Sequence, residues 1–324
     1  MNFNATDGQG QGPALLDVAS EELLTRTTSP RNQRRAQRLA SLTTGSWPSL
    51  DLRHSIFRQN GSHLHPVIPP KEEGSLRLLT LNVAHGRRRV PHQALVPRRT
   101  VHDNLAEIAD ALRRWTADVV ALQEADGPSA WSGNFDHVAT LAQLAELENH
   151  YRGEHNPFGM GDFNLASGTA LLARFPLLEP LSHRFGMSWR DTKGFVAATV
   201  TVPEWGGTEV DMVSVHLDFL APSVRRKQIL HMAELLSQRQ RPLVVSGDLN
   251  CCWHYEQKSL QLLTEALNLH AHEPEARIPT YPTYRPRRRL DWILISPQLR
   301  FVQHHTLPAR LSDHLGVMAD LQLR

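Results

Sequence analysis

From residue 76 onward the apolar residues arrive in short runs, and the spacing of those runs predicts the elements. The runs are LRLLTLNV (76–83), DVVALQ (118–123), GTALLARF (168–175), FVAATVTV (195–202), VDMVSVHL (210–217), PLVVSG (242–247), LDWILIS (290–296) and LGVMADLQL (315–323). Their length and Val, Ile and Leu content predict strands buried on at least one face. Two segments show helical spacing instead. Leu105, Ile108, Ala109 and Leu112 mark one face of a helix after His102, and Ile229, Met232, Ala233 and Leu236 mark another within PSVRRKQILHMAELLSQ. Strands outnumber helices and several follow one another directly, which argues against a purely parallel doubly wound sheet. Two mixed sheets packed together and flanked by helices account for the order.

Residues 1–74 have another texture, rich in Gln, Ser, Thr, Arg and Pro, with weak helical hints only around Leu15–Leu24 and Arg34–Leu42. They predict a partly disordered N-terminal extension that ends in the linker PPKEEGS, residues 69–75, with one large domain from residue 75 to 324. The N-terminus lacks both a basic start and a continuous apolar core, and no later stretch approaches the ~18 apolar residues of a membrane span. The expectation is a soluble, cytoplasmic protein without stable membrane insertion.

Charge and cysteine content narrow the chemistry. The 35 Lys and Arg against 33 Asp and Glu leave a net charge of only +2, but the arginines cluster, at Arg87–Arg89, Arg98–Arg99, Arg225–Lys227 and Arg287–Arg289. Such patches suit a polyanionic partner. Cys251 and Cys252 are the only cysteines. Being neighbours, they cannot staple distant parts of a fold or form a cysteine-based zinc site, and packing beneath a functional site is their expected role.

Polar residues gather where the apolar runs end. Asn82 closes the first run, Glu124 follows the second, His216 lies near the end of the fifth, and Asp248 and Asn250 follow the sixth; Asp291 opens the seventh, and Ser312, Asp313 and His314 precede the last. Strand ends hold the backbone still while loops expose side chains, so ligand and catalytic groups collect there. Carboxylate and amide oxygens such as those of Glu124 and Asn82 are hard ligands suited to Mg²⁺ or Mn²⁺. Asp248 can align or deprotonate a water, Asn250 and the histidines can hold a phosphate, and Asp291 beside His314 can keep that imidazole protonated.

LNVAHG, ALQEAD, VSVHLD, SGDLN, RRLDWILIS and LSDHLGV, in this order, resemble the successive motifs of the endonuclease/exonuclease/phosphatase superfamily, whose fold is like that of deoxyribonuclease I. The likeness spans roughly residues 76 to 324. It implies an α/β fold, a four-layered α/β/β/α sandwich of two mixed sheets flanked by helices. It also implies hydrolysis of phosphate esters with Mg²⁺ or Mn²⁺. In this likeness Asn82, Glu124 and Asp313 serve the metal, while His216, Asp248, Asn250, Asp291 and His314 are catalytic. The role of base stays shared between Asp248 and the Asp291–His314 pair. Two departures stand out. Where some members carry an acid two places after the Asn of the first motif, this chain has Ala84, with His85 next; and Ser167, Gly168 and Thr169 replace a Glu that pairs with the His of the fifth strand in deoxyribonuclease-like members.

Lys193, Arg287 and Arg288 are expected substrate contacts, and Asn134 with Asp136 are further candidates for the groove wall. The expected function is a divalent-metal-dependent phosphodiester hydrolase acting on DNA or RNA. The alternatives are a phosphatase or phospholipase of the same fold acting on inositol phosphates or sphingomyelin-like lipids, or a binding module without turnover. No protein partner is evident.

Overall fold

The computed structural model describes residues 68–324 apart from 156–157, 161–162, 188–192 and 255–257. The helical hints at Leu15–Leu24 and Arg34–Leu42, and the extension that holds them, lie outside the described residues as far as residue 67. The elements run β1 (Leu76–Asn82), α1 (Arg98–Arg114), β2 (Val119–Asp126), α2 (His137–Ala145), β3 (Asn149–Arg152), β4 (Phe158–Met160), β5 (Phe163–Leu165), β6 (Ser167–Ala173), β7 (Leu178–Arg184), β8 (Gly194–Val202), β9 (Thr208–His216), α3 (Pro222–Leu236), β10 (Leu243–Asp248), α4 (Ser259–Ala266), β11 (His270–Ala271), β12 (Asp291–Ile295), β13 (Leu299–Leu307) and β14 (Gly316–Leu323).

Two six-stranded mixed sheets result, ordered β13-β14-β1-β2-β6-β3 and β11-β12-β10-β9-β8-β7, beside a small β4-β5 hairpin. At the centre of each sheet is one parallel pair joined through a helix: β1-α1-β2 in the first and β9-α3-β10 in the second. Antiparallel neighbours flank both pairs, β14 and β6 in one sheet, β12 and β8 in the other.

Alternation along the strands builds three apolar layers. Leu79, Leu81, Val120 and Leu122 face outward beneath α1 and α2. Leu76, Leu78, Val119 and Ala121 face inward against Val210, Met212, Val244 and Ile293 of the second sheet. Val213, Val215, Val245 and Trp292 face outward against Ile229 and Met232 of α3 and Leu260 and Leu263 of α4. The order helix, sheet, sheet, helix is the expected four-layered sandwich. Toward the site this middle layer turns polar and stays satisfied: Gln123 Nε2 donates across to Ser214 Oγ at 3.1 Å, and Ser214 Oγ donates to Leu122 O at 2.9 Å.

Three local readings change. Helix α1 begins at Arg98, before His102, because Pro97 sits in the position preceding the first turn and leaves no amide to satisfy there. The PPKEEGS segment is fastened to the first sheet rather than free: Arg77 donates to Pro69 O at 3.1 Å, Lys71 bonds Asp118 at 2.5 Å and Trp205 Nε1 donates to Gly74 O at 2.9 Å. Asp136 is an N-cap, its Oδ1 accepting Ala139 N–H at 2.9 Å at the start of α2, which accounts for its place without a substrate. Asp136→Ala is therefore expected to lower stability by about 1 kcal/mol in a urea titration; an unchanged midpoint would show that the cap contributes nothing.

Candidate active site

Asn82, Glu124, His216 and Asp248 stand at or just before the C-terminal ends of the four central parallel strands, so both sheets deliver side chains to one edge of the sandwich. The antiparallel neighbours add to that edge. Asp291 opens β12 directly opposite Asp248, and His314 lies just before β14.

The glycine of the SGDLN motif has a structural reason. Gly247 takes φ +149°, and a Cβ there would stand 1.9 Å from Val215 O. Any larger residue would push β10 away from β9 and separate Asp248 from His216, its partner in register. Four residues other than glycine hold positive φ around the same edge: Ala84 at 49°, His85 at 53°, Glu124 at 51° and Asn250 at 50°. Left-handed backbone at Ala, His and Glu stores strain of order 1–3 kcal/mol each. At Glu124 it coincides with a register shift between β2 and β6 across Gln123 and Ala125, which turns the carboxylate out of the sheet.

Asp248 is the hub. Asn82 Nδ2 donates to its Oδ2 at 3.1 Å, the His216 and His314 Nε2 atoms lie 3.4 and 3.7 Å from that oxygen, and Oδ1 accepts the Asn250 N–H at 3.0 Å. The group is buried. Burial pushes its carboxyl up to about 6, with Asp291 adding to the shift and His314 opposing it. His314 Nδ1 lies 2.9 Å from Asp291 Oδ2, and its ring packs on Tyr281 with centroids 4.7 Å apart. Burial disfavours its charge, but Asp291 and Asp248 outweigh that and raise the imidazole to about 10. His314 and Asp291 are thus in contact, and the two carboxylates favour the charged form of the ring.

The other half of the site centres on Glu124. Its carboxylate lines a cleft of about 80 Å³ with His85, Trp131, His155, Ser167, Gly168, Lys193 and His216. Burial opposes its ionisation, yet His85 foremost, and then Lys193, hold it well below the usual carboxylate range. His85, which residue types alone did not single out, is bracketed by acids: Nε2 is 3.3 Å from Glu124 and Nδ1 is 2.7 Å from Asp126. Burial works against its proton, but these two carboxylates raise its pKa. Lys193 Nζ lies 2.9 Å from His216 Nε2. Burial first, and then that ammonium, drives the His216 pKa well down, leaving a neutral ring.

The two departures from the superfamily pattern have visible consequences. His85 occupies the space beside Glu124 near the position of the missing second acid. Where a Glu partner of His216 was absent from the sequence, Lys193 takes up the contact. Nearby, His155 bonds Thr169 Oγ1 at 2.9 Å. Gly168 is required there, since a Cβ would meet Gly153 O at 1.8 Å.

Other expected residues sit differently. Asn250 is half-buried and its Nδ2 donates to Leu217 O at 3.0 Å. Asp313 is at the rim, where Arg87 Nη2 donates to its Oδ2 at 2.8 Å. Arg287 and Arg288 are exposed, their amides bonded to Tyr281 O at 2.9 and 3.0 Å, and neither lines the cleft around Glu124. Arg289 is structural: buried, it stacks on Trp292 at 3.8 Å and donates to Glu273 O and His272 O. Cys251 is buried in the layer beneath the site, and its carbonyl accepts Trp292 Nε1–H at 3.0 Å.

Two groups of donor atoms could meet a hard divalent cation. Asp248, Asp291 and His314 each bring one donor atom within 4.8 Å of the others. Asp291, however, is engaged with His314, and an imidazolium repels a cation. Glu124 is ionised, oxygen-bearing and open to the cleft, with Asn82 one strand away, and a cation bound there would displace the His85 contact at 3.3 Å.

A family model described as the Endonuclease/Exonuclease/phosphatase family matches residues 79–314. The uncharacterized protein YbhP of Escherichia coli strain K12 is 26% identical over 271 residues, covering 78% of this chain and 98% of that protein. An endonuclease/exonuclease/phosphatase structure from Beutenbergia cavernae superimposes with a TM-score of 0.61 at 22% identity, over 77% of this chain and 72% of that one. D. rerio TDP2, solved with a single-strand DNA product, gives 0.55 at 16% identity, over 76% and 99%.

Proposed function

This chain belongs to the endonuclease/exonuclease/phosphatase family, and we propose that within it the protein is a divalent-metal-dependent hydrolase of phosphodiesters in nucleic acid. The observation that carries the reading is the pairing of opposite carboxyl states on one edge. Glu124 is ionised at any physiological pH, while Asp248 is poised near 6 beside an imidazolium. Separated pKa values of this kind assign a ligand to one acid and a proton-handling role to the other.

In this mechanism Glu124 and Asn82 would hold Mg²⁺ or Mn²⁺, which when bound would neutralise the phosphate and assist the leaving oxygen; Asp313 would join them only on release from its pair with Arg87. Asp248 aligns the attacking water and takes its proton. Asn82, by donating to Asp248 Oδ2, fixes the direction of that carboxylate. The His314 imidazolium, kept charged by Asp291, and the Lys193 ammonium meet the charge that grows on the phosphoryl oxygens. The exposed arginines Arg89, Arg285, Arg287 and Arg288 would offer cationic surface to a polyanionic backbone.

The test is hydrolysis of bis(p-nitrophenyl) phosphate by the full chain with Mg²⁺ or Mn²⁺. Turnover is expected to vanish with a chelator and in Asp248→Ala and His314→Ala. The metal should also raise the melting temperature of the wild type, because a ligand that binds only the native state stabilises it by mass action. Unchanged turnover in both variants would refute the assignment. Metal stabilisation without turnover would support a binding module of the same fold.

A further inference from the structure

We propose that Phe219 and Tyr284 are two stacking platforms for nucleobases, one at each side of the phosphate site, so that the substrate is single-stranded nucleic acid. The inference rests on the phosphodiesterase reading above but adds the substrate form, and it assigns two residues with no part in the chemistry.

Both rings are exposed, 62% in each case, although a free-standing Phe has every reason to be covered. Each carries a cation on its face. Lys193 Nζ lies 5.7 Å from the Phe219 centroid, and the Arg89 guanidinium lies 5.7 Å from the Tyr284 centroid. Both pairs are tied to the site. The ammonium over Phe219 is the one in contact with His216. Tyr284 follows Thr283, whose N–H and Oγ1 donate to Asp313 O and Ser312 O at 2.8 Å each. A phosphate on the catalytic groups would therefore have an aromatic face and a cation beyond it on the β9 side, and the same pair on the Asp313 side.

The Phe219 loop is built to hold that face outward. Asp218 Oδ1 accepts the N–H groups of Leu220 and Ala221 at 2.9 and 2.7 Å. Gln228 Oε1 accepts the Asp218 N–H at 2.8 Å, and the buried Arg225 donates to Asp218 O at 2.6 Å. A ring projected from a fixed turn loses little freedom on binding. Aromatic faces spaced along a basic track are the usual means of holding unpaired bases, and every base offers a π-face. A duplex keeps its bases stacked on one another and out of reach of such rings. A phosphosugar has no aromatic face to offer them.

The test compares wild type, Phe219→Ala and Tyr284→Ala for binding a fluorescein-labelled single-stranded oligonucleotide by anisotropy, in the presence of Mg²⁺. An abasic oligonucleotide of the same length serves as the control. Each Ala variant is expected to raise Kd for the base-bearing strand roughly tenfold and to leave Kd for the abasic strand unchanged. Phe219→Trp and Tyr284→Phe should restore wild-type binding. Equal weakening on both strands, unchanged binding of the base-bearing strand, or no binding by the wild type would each overturn the proposal. So would preferential binding of phosphatidylglycerol vesicles that is lost in Phe219→Ala, which would make the apolar loop a lipid contact. Hydrolysis of bis(p-nitrophenyl) phosphate by the wild type, measured in parallel, tests the catalytic reading separately, whichever way the binding comparison falls.

Discussion

Asp248→Asn is expected to lower kcat on an activated phosphodiester by about 10² to 10⁴-fold, the range that loss of a positioned base removes, with little change in KM. The amide keeps the size of the side chain and can still face Asn82 and His314, so the fold should survive. What it loses is the capacity to accept a proton. The pH dependence of the wild type tests the same assignment. Asp248 rests near 6 because burial resists its charge; below that value it is protonated and cannot act as base, so the rate should rise with pH through about 6. His314 rests near 10 because Asp291 and Asp248 outweigh its burial; above that value its charge is gone, so the rate should fall there. Asp248→Asn should abolish the acidic limb. An acidic limb that survives in the variant would refute Asp248 as the base.

Glu124→Gln is expected to weaken binding of Mg²⁺ or Mn²⁺ by more than about 100-fold, the upper end of what removing even an outer partner of a metal site costs. The amide keeps an oxygen donor of the same reach but gives up the charge that His85 and Lys193 stabilise. Titration calorimetry on the full chain measures the affinity directly. Activity at saturating metal should partly return, since the phosphate-facing residues are untouched. A Gln variant that saturates at the wild-type metal concentration would move the ion to Asp248, Asp291 and His314, the other cluster with suitable spacing.

The central strands were legible from sequence because each is a dense apolar run whose polar residue breaks the pattern at one end. Edge strands lack that contrast. β13, LRFVQHHTL, carries Gln303, His304 and His305 in mid-strand, and β7 is largely exposed, so neither announces itself. α2 and α4, of nine and eight residues, are too short for a helical period to stand out. In the site, residues at strand ends could be found by position. His85 could not, because its role depends on a left-handed turn after Asn82 that aims it between Glu124 and Asp126. The Arg87–Asp313 contact joins residues 226 apart, and nothing in local pattern links them. The single sign of His85 was its place in the LNVAHG motif, where the superfamily pattern admits an acid nearby.

The meeting of Asn82 and Asp248 across the two sheets has a mechanical meaning. Each sheet owns only part of the apparatus, so neither can be competent alone, and the catalytic geometry depends on how one slab is indexed against the other. That indexing is set by the apolar middle layer and by the Gln123–Ser214 bridge at its polar end. A slip of the slabs too small to expose the core would still pull the Asn82 amide from the Asp248 carboxylate. The site would then come apart before the fold did, and any property that depends on that contact would be the more sensitive gauge of interlayer alignment.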